Sequence, residues 1–465
     1  MELQNKATSL WGNFFKVSMV PIRTFHMTWF AFFSAFFAWF GIAPMMVVIR
    51  EEMHLTKEQV GWTIIASVAA TVFARFFIGW LCDRIGPRLA YTYLLILGAF
   101  PVAGIGLADN FETFLVFRLL IGIIGASFVI TQYHTSVMFA PNVVGQANAT
   151  SAGWGNLGGG VTQFVMPLMF SAFVIGFGFT DAEAWRASMV VVGTVIFFTG
   201  IAYYFITQDA PDGNYSDLRK KGILPEKKKV TGAYFNAMKD YRIWILFIIY
   251  GACFGIELTV NNVAALYFFD YFKVDMVTAG MIAASFGLMN IFARTLGGIF
   301  ADNCASLWGL RGRTYWLFIV LLGEGLALML FSQMNVLFLA IPTLIIFSLF
   351  TQMSEGATYS VVPFIDKKAL GAVSGVVGAG GNAGAVAAGF LFKGAMDWND
   401  VFFVIGVVVA ISSLLTFFLR FTPEQELEEK VAFEKANMDV LQDKADQANA
   451  AVARSLKIIT DSEKP

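Results

Sequence analysis

Apolar runs of about twenty residues recur from near residue 24 to near residue 420, about twelve of them by the length a helix needs to cross a bilayer. Charged residues make up 14% of the 465 and hydrophobic residues 57%. That is too little charge to cover a water-soluble protein of this size. In hydrocarbon, backbone polar groups must be satisfied within the segment, so the runs read as helices. The expected fold class is all-α, a polytopic membrane protein of twelve transmembrane helices. The first run lacks a cleavage-site pattern and reads as a retained helix.

The runs fall at about 24–49, 60–82, up to about Asp109, 114–139, from Gly145 through the glycine block Gly153–Gly160, and up to Ile206. After an interruption they resume at about 243–268, 277–301, 314–333, 337–360, 370–394 and 401–420. The interruption carries Arg219, Lys220, Lys221 and Lys227–Lys229, with Pro211, Gly213, Gly222 and Pro225 as breakers. By the positive-inside rule it is a cytoplasmic basic linker, and an even number of spans puts both termini in the cytoplasm. The expected organisation is a six-helix bundle (1–207), a linker (208–242), a second six-helix bundle (243–420) and a charged cytoplasmic tail (421–465). The tail reads as a solvated or surface-lying helix, or as a partner-binding coiled coil. The loop 50–58, with Glu51, Glu52 and Glu58, reads as external. Cys82, Cys253 and Cys304 are too few and too dispersed to suggest a disulfide framework or metal site. Net charge is −1 and says nothing about partners.

Two of the runs carry an arginine in one and the same pattern. Ala74-Arg75-Phe-Phe-Ile-Gly79-Trp-Leu-Cys-Asp83 returns as Ala293-Arg294-Thr-Leu-Gly-Gly298-Ile-Phe-Ala-Asp302. The four-residue spacing aligns Arg, Gly and Asp on one helix face. If the aspartates mark the membrane surface, the arginines lie about 12 Å deeper, near the midplane of a core about 30 Å thick. An arginine there costs about 2.5–3.5 kcal/mol even on the gentler insertion scale, which makes it functional by default. A planar guanidinium forks onto two oxygens of an oxyanion and stays charged at physiological pH. Two of them at equivalent depths suggest an anion site; the structural alternative is a buried ion pair, but neither run offers an acid at that depth. A second echo links Gly155-Asn156-Leu157-Gly158 to Gly381-Asn382-Ala383-Gly384. The arginine run is second in each half and the Gly-Asn run is fifth.

The glycines of these blocks, among them Gly153, Gly155, Gly158, Gly381 and Gly384, suit close helix packing first. The asparagines are harder to explain that way, and Asn156 reads as a ligand or network member. The titratable groups singled out within the apolar runs are Glu257, Glu324, Glu355 and His134. Glu324 reads as a structural acid, His134 as a hydrogen-bonded interior histidine. Glu257 and Glu355 either balance the arginine charge or carry protons, with charge balance favoured.

These residues resemble a known family. Gly79-Trp-Leu-Cys-Asp83-Arg84-Ile-Gly86-Pro-Arg88 resembles the major facilitator superfamily's loop between helices 2 and 3, and Arg118-x-x-x-Gly122 resembles a second superfamily motif. Ala152-Gly-Trp-Gly-Asn-Leu-Gly-Gly-Gly160 and Gly378-Ala-Gly-Gly-Asn-Ala-Gly384 resemble the two signatures of the nitrate/nitrite porter family. Phe254-Gly-Ile-Glu-Leu-Thr-Val-Asn-Asn262 is similar to its proton-coupled nitrate transporters. The resemblance implies two pseudo-symmetric six-helix halves with the substrate site between them. It implies nitrate import, with nitrite as a further substrate, by proton symport. It also implies that Arg75 and Arg294 clamp the anion, that Phe128 and Phe254 sandwich it, and that Tyr250 and Asn156 hydrogen-bond near it. Proton-coupling candidates are Glu257, Glu355 and Arg118; Gly79, Asp83, Arg84 and Asp302 belong to the gating loops. Nitrate/nitrite antiport, another oxyanion such as an organic phosphate, and a sensor on a transporter scaffold remain alternatives. No enzyme motif, cofactor, metal or nucleic-acid partner is expected; the partners are nitrate or nitrite, protons and the bilayer of a bacterial inner membrane, with the chain a monomer.

Overall fold

The computed structural model describes residues 5–139, 143–223, 238–366, 370–427 and 430–431. Twelve long helical segments run in chain order: α1 Val20–Phe40, α2 Lys57–Ile85, α3 Pro87–Gly104, α4 Phe111–Met138, α5 Val144–Phe177, α6 Asp181–Ile206, α7 Tyr241–Phe272, α8 Met276–Trp308, α9 Leu310–Ser332, α10 Leu337–Val361, α11 Leu370–Lys393 and α12 Trp398–Phe418. Among the described residues, eleven spans are long and apolar enough to cross a membrane. The remaining helix, α1, is diluted by Arg23, Thr24, His26, Thr28 and Trp29. It nonetheless buries Phe25, Phe32, Phe36, Trp39 and Phe40 in the core.

Polar side chains at the ends start these helices. Thr56 with Gln59, and Thr180 with Glu183, form reciprocal capping boxes on α2 and α6. Asp275 accepts from the amides of Val277 and Thr278 at the start of α8. The first helix is shorter than the apolar run that encodes it. It stops at Phe40, and a separate short helix spans Met46–Glu52. The break falls at Gly41-Ile-Ala-Pro44, where a proline lacks the amide needed to continue and clashes with the preceding turn.

Two helices also contain breaks. In α4 a 3₁₀ segment occupies Ile123–Ala126, and in α8 a 3₁₀ turn at Met289–Ile291 ends on Phe292, two residues before Arg294. The helix carrying Arg75 is continuous through its arginine. The two copies of the repeat therefore differ in backbone.

The halves meet along two helix pairs, α2 with α11 and α5 with α8. Small residues make both seams. A Cβ on Gly160 would lie 2.7 Å from the Gly287 backbone, and one on Gly61 would lie within 2.4 Å of Lys393. The second helix of each half thus packs against the fifth helix of the other. Near one end of these seams, Arg50 forks onto Asp270 at 2.5 and 2.9 Å, and Lys393 reaches Glu58 at 3.2 Å. The hydrogen bond to Asp270 holds the Arg50 guanidinium above its ordinary range. A cavity of about 700 Å³ opens there, lined by Arg50, Lys57, Asp270, Tyr271, Asp397 and Asp400 among others.

At the opposite end, the α2–α3 turn passes through Gly86, whose φ of 93° suits glycine. A Cβ there would also strike the Asp209 carboxylate, 2.4 Å away. Asp209 accepts from the amides of Arg88 at 2.9 Å and Tyr215 at 3.0 Å, fastening the start of the linker under this turn. Burial pushes its carboxyl up, against those hydrogen bonds. A short helix, Tyr215–Lys220, follows. Lys227–Lys229, and the tail beyond residue 431, lie outside the described residues.

Candidate substrate site

Arg75 and Arg294 are both 4% exposed and lie at the interface of the halves. Arg75 projects from α2 onto α11. Its Nη1 donates to the Gly378 carbonyl at 2.6 Å. The Asn382 carboxamide oxygen faces the guanidinium and accepts from Nε at 3.2 Å and Nη1 at 2.9 Å, an orientation assigned because both facing groups are donors. Its Nη2 is buried and has no hydrogen-bond partner among the described residues. A free, dry guanidinium donor is costly, and an oxyanion would satisfy it.

The Arg75 guanidinium also lies against two neighbouring rings. Its Cζ is 5.3 Å from the centroid of Phe128 on α4 and 5.5 Å from that of Phe254 on α7. The rings are 6.3 Å apart and inclined by 31°. Phe254 is 6.0 Å from the Arg294 Cζ as well, so one ring serves both cations. Tyr250 stacks on Phe254 at 5.1 Å, and Tyr359 closes edge-on against both Tyr250 and Phe128.

Arg294 is committed differently. Its Nη1 donates to Glu355 of α10 at 2.5 Å, and its Nη2 donates to the Tyr250 hydroxyl at 3.0 Å. Its own helix offers it no acid; the acid arrives from α10. Glu355 is fully buried, and its Oε1 has no hydrogen-bond partner among the described residues. Glu257 meets amides: it accepts from Asn290 at 2.8 Å and from Asn156 at 3.3 Å. Asn156 is therefore a network member joining the halves, with its Oδ1 unpartnered. Asn382, its counterpart, is the one that contacts an arginine. The 2-to-5 helix pairing explains this, since it sets α11 opposite Arg75.

Arg118 lies apart from this group. Its Nη2 donates to Asn262 of α7 at 2.8 Å and its Nη1 to the Trp39 carbonyl at 3.4 Å. His134 is bound on both ring nitrogens, to the Tyr203 hydroxyl at 2.6 Å and the Gln208 carbonyl at 2.8 Å, an interior polar network. Among the gating-loop residues, Asp302 pairs with Arg313, Arg84 lies 5.0 Å over Trp80, and Gly79 is partly exposed. The Asp83 side chain lies outside the described residues. The signature glycines sit at close approaches: added Cβ atoms would meet Asn290 at Gly153, Phe32 at Gly155, Phe33 at Gly158, Phe254 at Gly381 and the Gly251 carbonyl at Gly384.

Two six-helix halves with buried cations at their seam define a class of membrane transport scaffold. Residues 28–364 match the Major Facilitator Superfamily. The chain is 41% identical over 425 residues to High affinity nitrate transporter 2.5 of Arabidopsis thaliana, covering 91% of this chain and 84% of that one. It is 30% identical to the Nitrate/nitrite transporter NrtP of Nostoc punctiforme, covering 86% and 92%. A solved bacterial homolog to the human lysosomal transporter Spinster, inward-facing and unoccupied, shares the fold with a TM-score of 0.67 at 15% identity, covering 88% of this chain and 98% of that one. The chain belongs to the major facilitator superfamily and, within it, to the nitrate/nitrite porter family. That is a family of membrane transporters and not of enzymes.

Proposed function

We propose that this chain is a secondary transporter that imports nitrate, and nitrite, by proton symport across a bacterial inner membrane, as a monomer with both termini in the cytoplasm. Arg75 and Arg294 hold the anion between the halves, with Phe128 and Phe254 flanking its plane and Tyr250 and Asn156 within the same polar network. Residues 1–207 and 243–420 rock about this point, presenting it to each side in turn. The single observation that carries the reading is the unpartnered Nη2 of Arg75, buried beside the Phe128 and Phe254 rings at the seam of the halves. The relatives named as nitrate transporters support the choice of anion. A slot walled by Phe128, Phe254 and Tyr359 suits a small planar ion more than an organic phosphate.

The test is nitrate uptake into liposomes holding the purified protein, with an inward proton gradient and no anion substrate inside. Accumulation that collapses with a protonophore supports symport. Uptake only after loading the lumen with nitrite makes the protein an exchanger. No nitrate movement under either condition refutes the substrate.

A further inference from the structure

The two arginines of the repeat are not in the same state. Arg75 has a donor to spare, whereas each Nη of Arg294 already donates, one to Glu355 and one to Tyr250. Each Nη carries a second N–H and Nε a further one, so an anion can reach Arg294 with Tyr250 in place, but it then shares the guanidinium with the Glu355 carboxylate. Tyr250 is neutral and can turn its hydroxyl to the anion as a donor. Glu355 is an anion itself, and two anions cannot share one guanidinium arm in a dry site without a large Coulombic cost.

We propose that Glu355 and the transported anion compete for Arg294, and that a proton taken up by Glu355 settles the competition in the anion's favour. This rests on the anion reading of the site given above. In the empty state Arg294 pairs with the Glu355 carboxylate. When the anion takes the guanidinium arm, the Glu355 oxygen takes a proton from a hydronium ion of the aqueous phase: an O–H bond forms on the carboxyl as one breaks on hydronium, leaving a neutral acid and a water. Each anion bound thus carries one proton with it. Releasing the proton restores the Arg294–Glu355 pair and expels the anion.

The surroundings of Glu355 leave it no other cation to turn to. From α7 it is faced by Tyr250, Cys253 and Glu257, from α8 by Arg294, from α9 by Glu324, and on its own helix by Tyr359 one turn on. Glu257 is spoken for by two amide donors, the arrangement a carboxylate wants. Glu324 is the opposite case. Its two oxygens receive no hydrogen bond, because the nearby hydroxyls of Thr351 and Ser354 donate to the Phe347 and Phe350 carbonyls of their own helix. Glu324 makes no ion pair among the described residues. Of the three acids buried within the spanning helices, Glu355 alone hydrogen-bonds the guanidinium that would bind the substrate.

The test uses isothermal titration of the full-length protein in detergent with nitrate, between pH 5.5 and 8.5, in buffers of differing ionisation heat. The expected result is uptake approaching one proton per nitrate bound, with affinity falling by about tenfold per pH unit at the alkaline end. In Glu355→Gln the linked proton vanishes and affinity becomes independent of pH; in Glu324→Gln the linkage persists. Nitrate binding to the wild-type protein without a linked proton at any pH overturns the proposal. So does wild-type linkage retained in Glu355→Gln, or linkage lost in Glu324→Gln. Should Glu355→Gln fail to fold, the wild-type and Glu324→Gln titrations decide alone. No binding of nitrate to wild-type protein at any pH refutes the substrate itself, which is a separate failure.

Discussion

Replacing Arg75 by lysine separates the charge of the site from its shape. The wild-type guanidinium uses Nε and Nη1 to anchor itself on Gly378 and Asn382, leaving Nη2 to point at the substrate space. A lysine keeps one positive charge but has one nitrogen where arginine has three. If that nitrogen satisfies the Gly378 carbonyl and Asn382 oxygen, the directed donor to the anion is gone. If it turns to the anion, two buried acceptors lose their partner. A hydrogen bond involving a charged group contributes about 1.5–3 kcal/mol, and 1.4 kcal/mol is a factor of ten. The dissociation constant for nitrate should therefore rise roughly 10- to 100-fold in Arg75→Lys. The assay is calorimetric titration of purified protein, with a thermal melt to show that the fold survives. Arg294→Lys should lose affinity for the same reason, through Tyr250. Affinities within about threefold of wild type in both variants, less than one such bond is worth, would refute the clamp.

Further outcomes follow from single contacts. Phe254→Leu keeps an apolar side chain but removes the one ring that faces both guanidiniums, and should raise the KM for nitrate uptake several-fold while leaving the melting temperature nearly unchanged. Gly384→Ala places a Cβ about 2.2 Å from the Gly251 carbonyl, and should destabilise the second half by about 1–3 kcal/mol, seen as a lowered melting temperature. Asp270→Asn breaks the fork from Arg50 that ties the halves at one face, and should increase cysteine labelling at positions lining the adjoining cavity; unchanged labelling would remove this pair from gating. Burial raises the carboxyl of Asp209, so its proton is held more tightly folded than unfolded. The stability of wild type relative to Asp209→Asn should then be greatest at low pH and fall as pH rises from the unfolded carboxylate value, about 3.9, through the folded one, as melts across pH 4–7 would show.

How far the site could be read in the sequence depends on which helix carries the information. Arg75 and Arg294 announce themselves because a cation inside an apolar run is expensive wherever the run ends up. The starts of α2, α6 and α8 are equally plain, since a Thr or Asp followed by free amides caps a helix locally. What periodicity along one helix cannot supply is the partner from another. Glu355 lies 61 residues beyond Arg294 and reaches it only because α10 packs beside α8. The break before Arg294 was hidden too, for Met289-Asn-Ile-Phe292 contains neither glycine nor proline.

The asparagines carry the same point one step further. Asn156 and Asn382 occupy matching places in the two halves, and symmetry would give both the same duty. The cross-pairing of second and fifth helices does set Asn382 against Arg75, but Asn156 meets Glu257, an acid that has no counterpart in the first half. The corresponding position before Gly125-Ala-Ser-Phe128 holds no carboxylate either. Among the described residues, the duplicated scaffold thus carries its cations in both halves and the three acids buried within its spanning helices, Glu257, Glu324 and Glu355, in one. A symmetric pair of arginines suffices to grip an anion. On the proposal above, Glu355 on Arg294, with no acid bonded to Arg75 among the described residues, is what makes that grip depend on a proton.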